Sequence, residues 1–158
     1  MKKRTKKPYR ALKINQIVVR ALLEKAISDR LVVAVDVAKE KMVAAVMDET
    51  ESVLATVKWS HPRESAEFFR LVEELGSQGH SVEVAMEPTG TYHDGLRAHL
   101  IRTGVGVFMV NPKTVHDGRE FYDGVPSSHD AKAAAIIGMV HLSGRSRAFV
   151  PPAQNVVS

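Results

Sequence analysis

Five short apolar runs alternate with amphipathic stretches along this chain, and their order predicts a mixed α/β domain. Leu31-Val-Val-Ala-Val35 is a continuous β-rich run that ends at Asp36, as a strand covered on both faces requires. Met42 to Met47 and Ser52 to Trp59 read as two further strands, separated by the polar turn Asp48 to Glu51. Three strands so closely connected make an antiparallel meander. The period then lengthens. Phe68, Phe69, Val72 and Leu75 share one helical face, Pro62 suits the first turn, and Gly76 closes the helix. Ser81 to Met86 is a fourth strand, ending at Glu87 before the turn Pro88 to Gly90. Tyr92, Leu96 and Leu100 are spaced for a helix that ends near Gly104, and Val105 to Val110 is a fifth strand that ends in Asn111-Pro112. Polar, glycine-containing sequence through Gly124 reads as loop, and Asp130 to Leu142 as a last helix.

Residues 11–29, with Leu12, Ile17, Val18, Leu22 and Leu23, predict an amphipathic helix leading into the domain. Residues 1–10 read as a disordered basic tail. The domain then spans 30–144, and 145–158 reads as a tail or the start of a linker to a second domain. The order β-β-β-α-β-α-β-α is the RNase H topology: a five-stranded mixed sheet with helices on its faces and the three-strand meander first.

Charge adds a partner to this picture. Residues 1–30 carry ten Lys and Arg against Glu24 and Asp29, a charge of +8, whereas the remaining residues carry −4. A basic arm of this kind favours nucleic-acid phosphates through counterion release, with Lys2, Lys3, Arg4, Lys6 and Lys7 as its contacts; the plain alternative is a solvated tail. No apolar run reaches the roughly 18 residues of a membrane span, and the N-terminus lacks the apolar stretch of a secretory signal. The chain contains no cysteine, which excludes disulfides and thiolate metal sites and fits a reducing, cytoplasmic setting. Any metal must be held by carboxylates, histidines or carbonyls.

Two carboxylates stand out. Asp36 ends the first strand and Glu87 the fourth, and these strands lie side by side in the expected topology. Such a pair suits Mg²⁺ or Mn²⁺, since small hard cations take oxygen ligands and keep several waters. Two such ions about 3.5–4 Å apart activate water and stabilise the leaving oxygen of a phosphodiester. Either acid alone is as easily a turn or cap residue; the joint placement makes the case. The seven histidines show no HxH or HExxH spacing, which argues against zinc.

The runs Val33-Ala-Val-Asp36-Val-Ala-Lys39 and Met86-Glu87-Pro88-Thr89-Gly90-Thr91-Tyr92 resemble the first two signatures of the DEDD transposases of the bacterial insertion-sequence one-ten group, relatives of the Piv/MooV DNA invertases. Val110-Asn111-Pro112 resembles the strand end that follows, and Asp123 to Lys132 the third signature. The resemblance covers about Leu31 to Leu142 and implies an RNase H-like (RuvC-like) nuclease domain acting on DNA with divalent metal. It also implies a further domain that bears a serine nucleophile, self-association, a structured guide RNA in some members, and a site in the bacterial cytoplasm at the nucleoid. Carried over by position, the four acids are Asp36, Glu87, Asp130 and position 133, which is Ala133. A second register makes Asp130 the fourth acid with Ser127 in third place; the first is preferred because Pro126, Ser127 and Lys132 then fall where the family has similar residues. One carboxylate of the four is absent in either register, so impaired catalysis is expected.

Lys39 and Lys41 are candidate phosphate contacts or simple exposed turn lysines, Lys132 pairs with a substrate phosphate or caps the site electrostatically, and Trp59 reads as core rather than a base-stacking platform. Two rival readings stand beside the nuclease domain. One is a catalytically inactive RNase H-like module that binds nucleic acid. The other is half of an actin-like or sugar-kinase ATPase, disfavoured because Val37 to Lys41 lacks the glycine-rich phosphate turn.

Overall fold

The computed structural model describes residues 11–38, 40–88, 94–118 and 129–149, with residues 129 and 130 described by their backbone alone. The strands are β1 (Ala11–Lys13), β2 (Arg30–Val37), β3 (Lys41–Asp48), β4 (Val53–Ser60), β5 (Ser81–Met86), β6 (Gly106–Val110) and β7 (Ser146–Ala148). The helices are α1 (Val19–Glu24), α2 (Ser65–Ser77), α3 (Asp94–Arg102), α4 (Pro112–Gly118) and α5 (His129–Leu142). One mixed sheet runs in the order β1-β4-β3-β2-β5-β6-β7. β2, β3 and β4 form the antiparallel meander, while β5 joins β2 in parallel and β6 joins β5 in parallel.

Five expected strands have become seven, and the two additions are edges. β1 pairs in parallel with Thr56 to Lys58, and β7 pairs antiparallel with Phe108 to Val110. Each is three residues long, too short to show a period. The continuous helix expected over residues 11–29 is replaced by β1, a 3₁₀ turn at Ile14–Gln16 and the six-residue α1. Only Ile14 and Leu22 of this stretch are buried, while Val18 and Ile27 are exposed. The apolar residues counted as one helical stripe therefore serve separate elements. Part of the loop expected after Pro112 is α4. Proline is tolerated at a first helical position, and the Asn111 side chain accepts from the Lys113 amide at 2.7 Å. α2 starts at Ser65 rather than at Pro62, whose carbonyl accepts from the Ser65 amide. Residues 145–158, expected as tail, include β7.

Alternation along the central strands divides the core in two. Leu31, Val33, Val35, Val84 and Met86 face α1, α2 and α3, where Phe68 stacks on Trp59 with ring centroids 4.2 Å apart. Trp59 is core, as its sequence context suggested. Val32, Ala34 and Ala85 face the other way, against α4 and α5. A buried aromatic of this kind is worth about 3–5 kcal/mol on truncation to alanine, so the larger cluster dominates stability. The smaller one decides where α5 lies.

α5 packs close because its inner face is small. Ala131, Ala134 and Ala135 are buried, and a Cβ on Gly138 would stand 2.3 Å from the Met47 sulfur and 3.2 Å from the Ala34 Cβ. Ala134 and Ala135 cluster with Val43 and Ala45, the partners of Asp36 and Ala34. Stepping back from Gly138 toward its first turn, α5 therefore approaches the strand end that bears Asp36.

Candidate functional site

Asp36 and Glu87 come together through strand register. The parallel pairing of β2 and β5 runs through Val35 opposite Met86, so the next residues on the two strands are Asp36 and Glu87. Neighbouring strands lie about 4.8 Å apart, within reach of two carboxylates sharing one cation. Asp36 extends the row of Val32 and Ala34 toward α5. Glu87, one residue past β5, extends the row of Glu83 and Ala85, and Glu83 does contact α5. Both acids are half-buried.

The third expected acid, Asp130, lies in the first turn of α5, the end of that helix nearest Asp36. Ala133, one turn further on, is half-buried. Among the described residues no group of three or more His, Asp or Glu side chains is placed to hold a metal; the Asp130 side chain lies outside the described residues. The donor set nonetheless fits a hard divalent ion: two carboxylates on adjacent strand ends in a chain with no cysteine.

Of the basic candidates, Lys41 opens β3 opposite Ser60 and is exposed, and Lys132 is half-buried on α5. Lys39, the arm residues Lys2, Lys3, Arg4, Lys6 and Lys7, the stretch Thr89 to His93, and Pro126 with Ser127 lie outside the described residues.

The sequence did not announce a polar chain that ties α5 to the sheet. Glu83 accepts from Arg30 Nε at 3.1 Å and Nη2 at 2.9 Å, and its Oε1 lies 2.6 Å from His141 Nε2. His141 Nδ1 lies 2.7 Å from Ser146 Oγ, and the buried ring rests against Phe108. Burial alone would raise the Glu83 carboxyl, but the hydrogen bonds from Arg30 and His141 outweigh it and hold it below the usual range. These bonds tie α5 to β2, β5 and β7. Asp48, also buried, closes the β3–β4 turn by accepting from Thr50, Ser52 and Ile27. Burial again works toward a raised carboxyl, and these bonds bring it below the usual range instead.

Ser65 Oγ lies 2.6 Å from His61 Nδ1, a spacing that suggests a nucleophile and base. Ser65 Oγ also accepts from Trp59 Nε1 at 3.1 Å and is buried, and burial keeps the imidazole more easily neutral. The pair locks the start of α2.

A family model described as transposase, for the DEDD proteins of the insertion-sequence one-ten group, matches residues 33–158. A search of curated proteins finds no match. Among solved structures, T. thermophilus RuvC in complex with Holliday junction substrate is 15% identical, with 76% of this chain and 99% of that chain covered at a TM-score of 0.53. A second Thermus thermophilus RuvC structure is 14% identical, with 75% and 99% covered at a TM-score of 0.51. At such identity the likeness shows the fold alone, and that fold is RNase H-like.

Proposed function

Because this chain belongs to the DEDD transposases of the insertion-sequence one-ten group, we propose that it is the divalent-metal nuclease domain with which such a protein cuts or transfers DNA strands. The adjacency of Asp36 and Glu87, next in register after Val35 and Met86, carries this reading. Asp36, Glu87 and Asp130 would hold Mg²⁺ or Mn²⁺, which when bound supplies Lewis acidity toward a phosphodiester oxygen. The protein's own part is to fix these donors. In this reading the ladder of β2 and β5 would hold the first two, and α5, seated by Gly138 and His141, would carry the third. Lys41, Lys132 and the basic arm would meet DNA phosphates, a screened and salt-sensitive attraction.

Ala133 stands in the place of the fourth acid of the family pattern, so the domain binds metal weakly and transfers strands poorly. That residue also favours the second reading, a module that holds nucleic acid without cutting it. A structured guide RNA and self-association belong to the same proposal. The RuvC likeness supports the DNA partner through its fold, and the Holliday junction belongs to the RuvC complex.

Thermal unfolding in Mn²⁺ separates the readings. A ligand at 100 times its Kd stabilises the folded state by about 2.7 kcal/mol. That gain is expected in the wild type and absent in Asp36→Asn and Glu87→Gln. Equal stabilisation of all three proteins overturns the shared site, and DNA binding without any Mn²⁺ response in the wild type supports the inactive module.

A further inference from the structure

The end of the sheet that carries Asp36 and Glu87 continues sideways into a cavity of about 280 Å³. Pro88, the residue after Glu87, forms one wall, and Asn111, Pro112, Arg145 and Arg147 form much of the rest. Among the described lining residues there is no Asp or Glu, although the chain beyond residue 30 is net acidic. Both arginines are exposed, and among the described residues neither has an ion-pair partner. Arg145 also borders a second cavity that includes Glu51 and Asp117, and it pairs with neither. Asn111 turns its carbonyl oxygen to the Lys113 amide, which leaves its amide hydrogens as donors.

Both cations are placed by backbone rather than by loose side chains. Gly144 ends α5 at φ +85°, a left-handed conformation that glycine adopts without a steric penalty. Its amide donates to the His141 carbonyl at 2.9 Å and the Arg145 amide to the Val140 carbonyl at 3.2 Å. These are the two bonds of a Schellman cap, which fixes Arg145 where the helix stops. Arg147 sits in β7 opposite Met109, and Met109 pairs with Met86, the residue before Glu87. Arg147 therefore shares the sheet face of Met109 and Met86, the opposite face from Glu87, and lines the cavity from that side.

We propose that this cavity is a phosphodiester-backbone site, in which Arg145, Arg147 and Asn111 grip a nucleic-acid strand beside the sheet end that carries the acids. Guanidinium groups suit the task because their fork of donors matches phosphate oxygens in pairs. Pro88, Met109 and Pro112 give the apolar wall against which the adjoining sugar rests. The assignment rests on the reading of Asp36 and Glu87 as the reacting end, but the grip itself does not require metal.

The test is fluorescence anisotropy of the full chain with a labelled single-stranded 20-mer, as DNA and as RNA of the same sequence, titrated in NaCl without divalent ions. Each phosphate contact on a single strand contributes about 0.7 to the slope of log K against log salt. R145A/R147A is therefore expected to lose about 1.4 from the slope and at least tenfold in affinity. R63A/R70A, which removes two exposed arginines outside the cavity lining, loses less than half as much. The strand type whose slope falls identifies the occupant. If the double variant melts early, R145A and R147A singly carry the same test at about 0.7 each. An unchanged slope overturns the proposal while leaving the acids untouched. Loss of the Mn²⁺ effect in Asp36→Asn is read separately, so failure of the metal site is distinguishable from failure of the grip.

Discussion

Replacing His141 with phenylalanine probes how α5 is held. The exchange keeps a ring of similar size against Phe108, now 4.6 Å from the His141 centroid. It removes the 2.6 Å bond to Glu83 and the 2.7 Å bond to Ser146. A hydrogen bond to a charged group is worth about 1.5–3 kcal/mol, and Glu83 keeps its two bonds from Arg30. The expected loss is therefore about 2–3 kcal/mol, a large share of the roughly 5–15 kcal/mol of an ordinary domain. Urea unfolding followed by the fluorescence of Trp59, the single tryptophan and a buried one, measures it directly. The pH dependence adds a second reading. Glu83 is held below the usual carboxylate range, so its contribution is present above the unfolded value and fades as pH falls through the folded one. Wild type and variant should differ most near neutrality and converge in acid. A variant within about 0.5 kcal/mol of wild type at every pH refutes the view that this polar chain anchors α5.

Three further outcomes follow from the same structure. Ala133→Asp is expected to strengthen the Mn²⁺ stabilisation at least tenfold in apparent affinity; no gain in a protein that still folds counts against placing the missing acid there. Gly138→Val should cost about 1–3 kcal/mol through overpacking, because even a Cβ meets the Met47 sulfur at 2.3 Å, and denaturant midpoints read it; an unchanged midpoint contradicts the close seating of α5. Asp48→Asn should flatten the acid limb of the stability curve, since the wild-type carboxylate is held below its usual range and its contribution is lost as pH falls through that lowered value; parallel curves for the two proteins contradict it.

Much of the central sheet was legible because its strands are long and doubly covered. The run Leu31 to Val35 reads as buried on both faces, and the boundaries Ser81–Met86 coincide with β5. The meander and the parallel step to β5 then make Asp36 and Glu87 neighbours, which the family resemblance reinforced. The edges were not legible: Ala11–Lys13 and Ser146–Ala148 are strands only because Thr56–Lys58 and Phe108–Val110 offer them free ladders. Residues 11–29 misled because a count of apolar residues cannot tell one helical stripe from three short elements in which only Ile14 and Leu22 are buried. His141 and Glu83, 58 residues apart, meet only in the folded chain. The arginines of the proposed grip carry no motif; the turn at Gly144 and the register of β7 give them their place.

Crystals of the chain soaked in Mn²⁺ put the shared metal site to its most direct trial. The account predicts an anomalous peak at about 2.1 Å from carboxylate oxygens of both Asp36 and Glu87, on the side that faces the first turn of α5. Ordered carboxylates at both positions, saturating Mn²⁺ and no peak between them would contradict it.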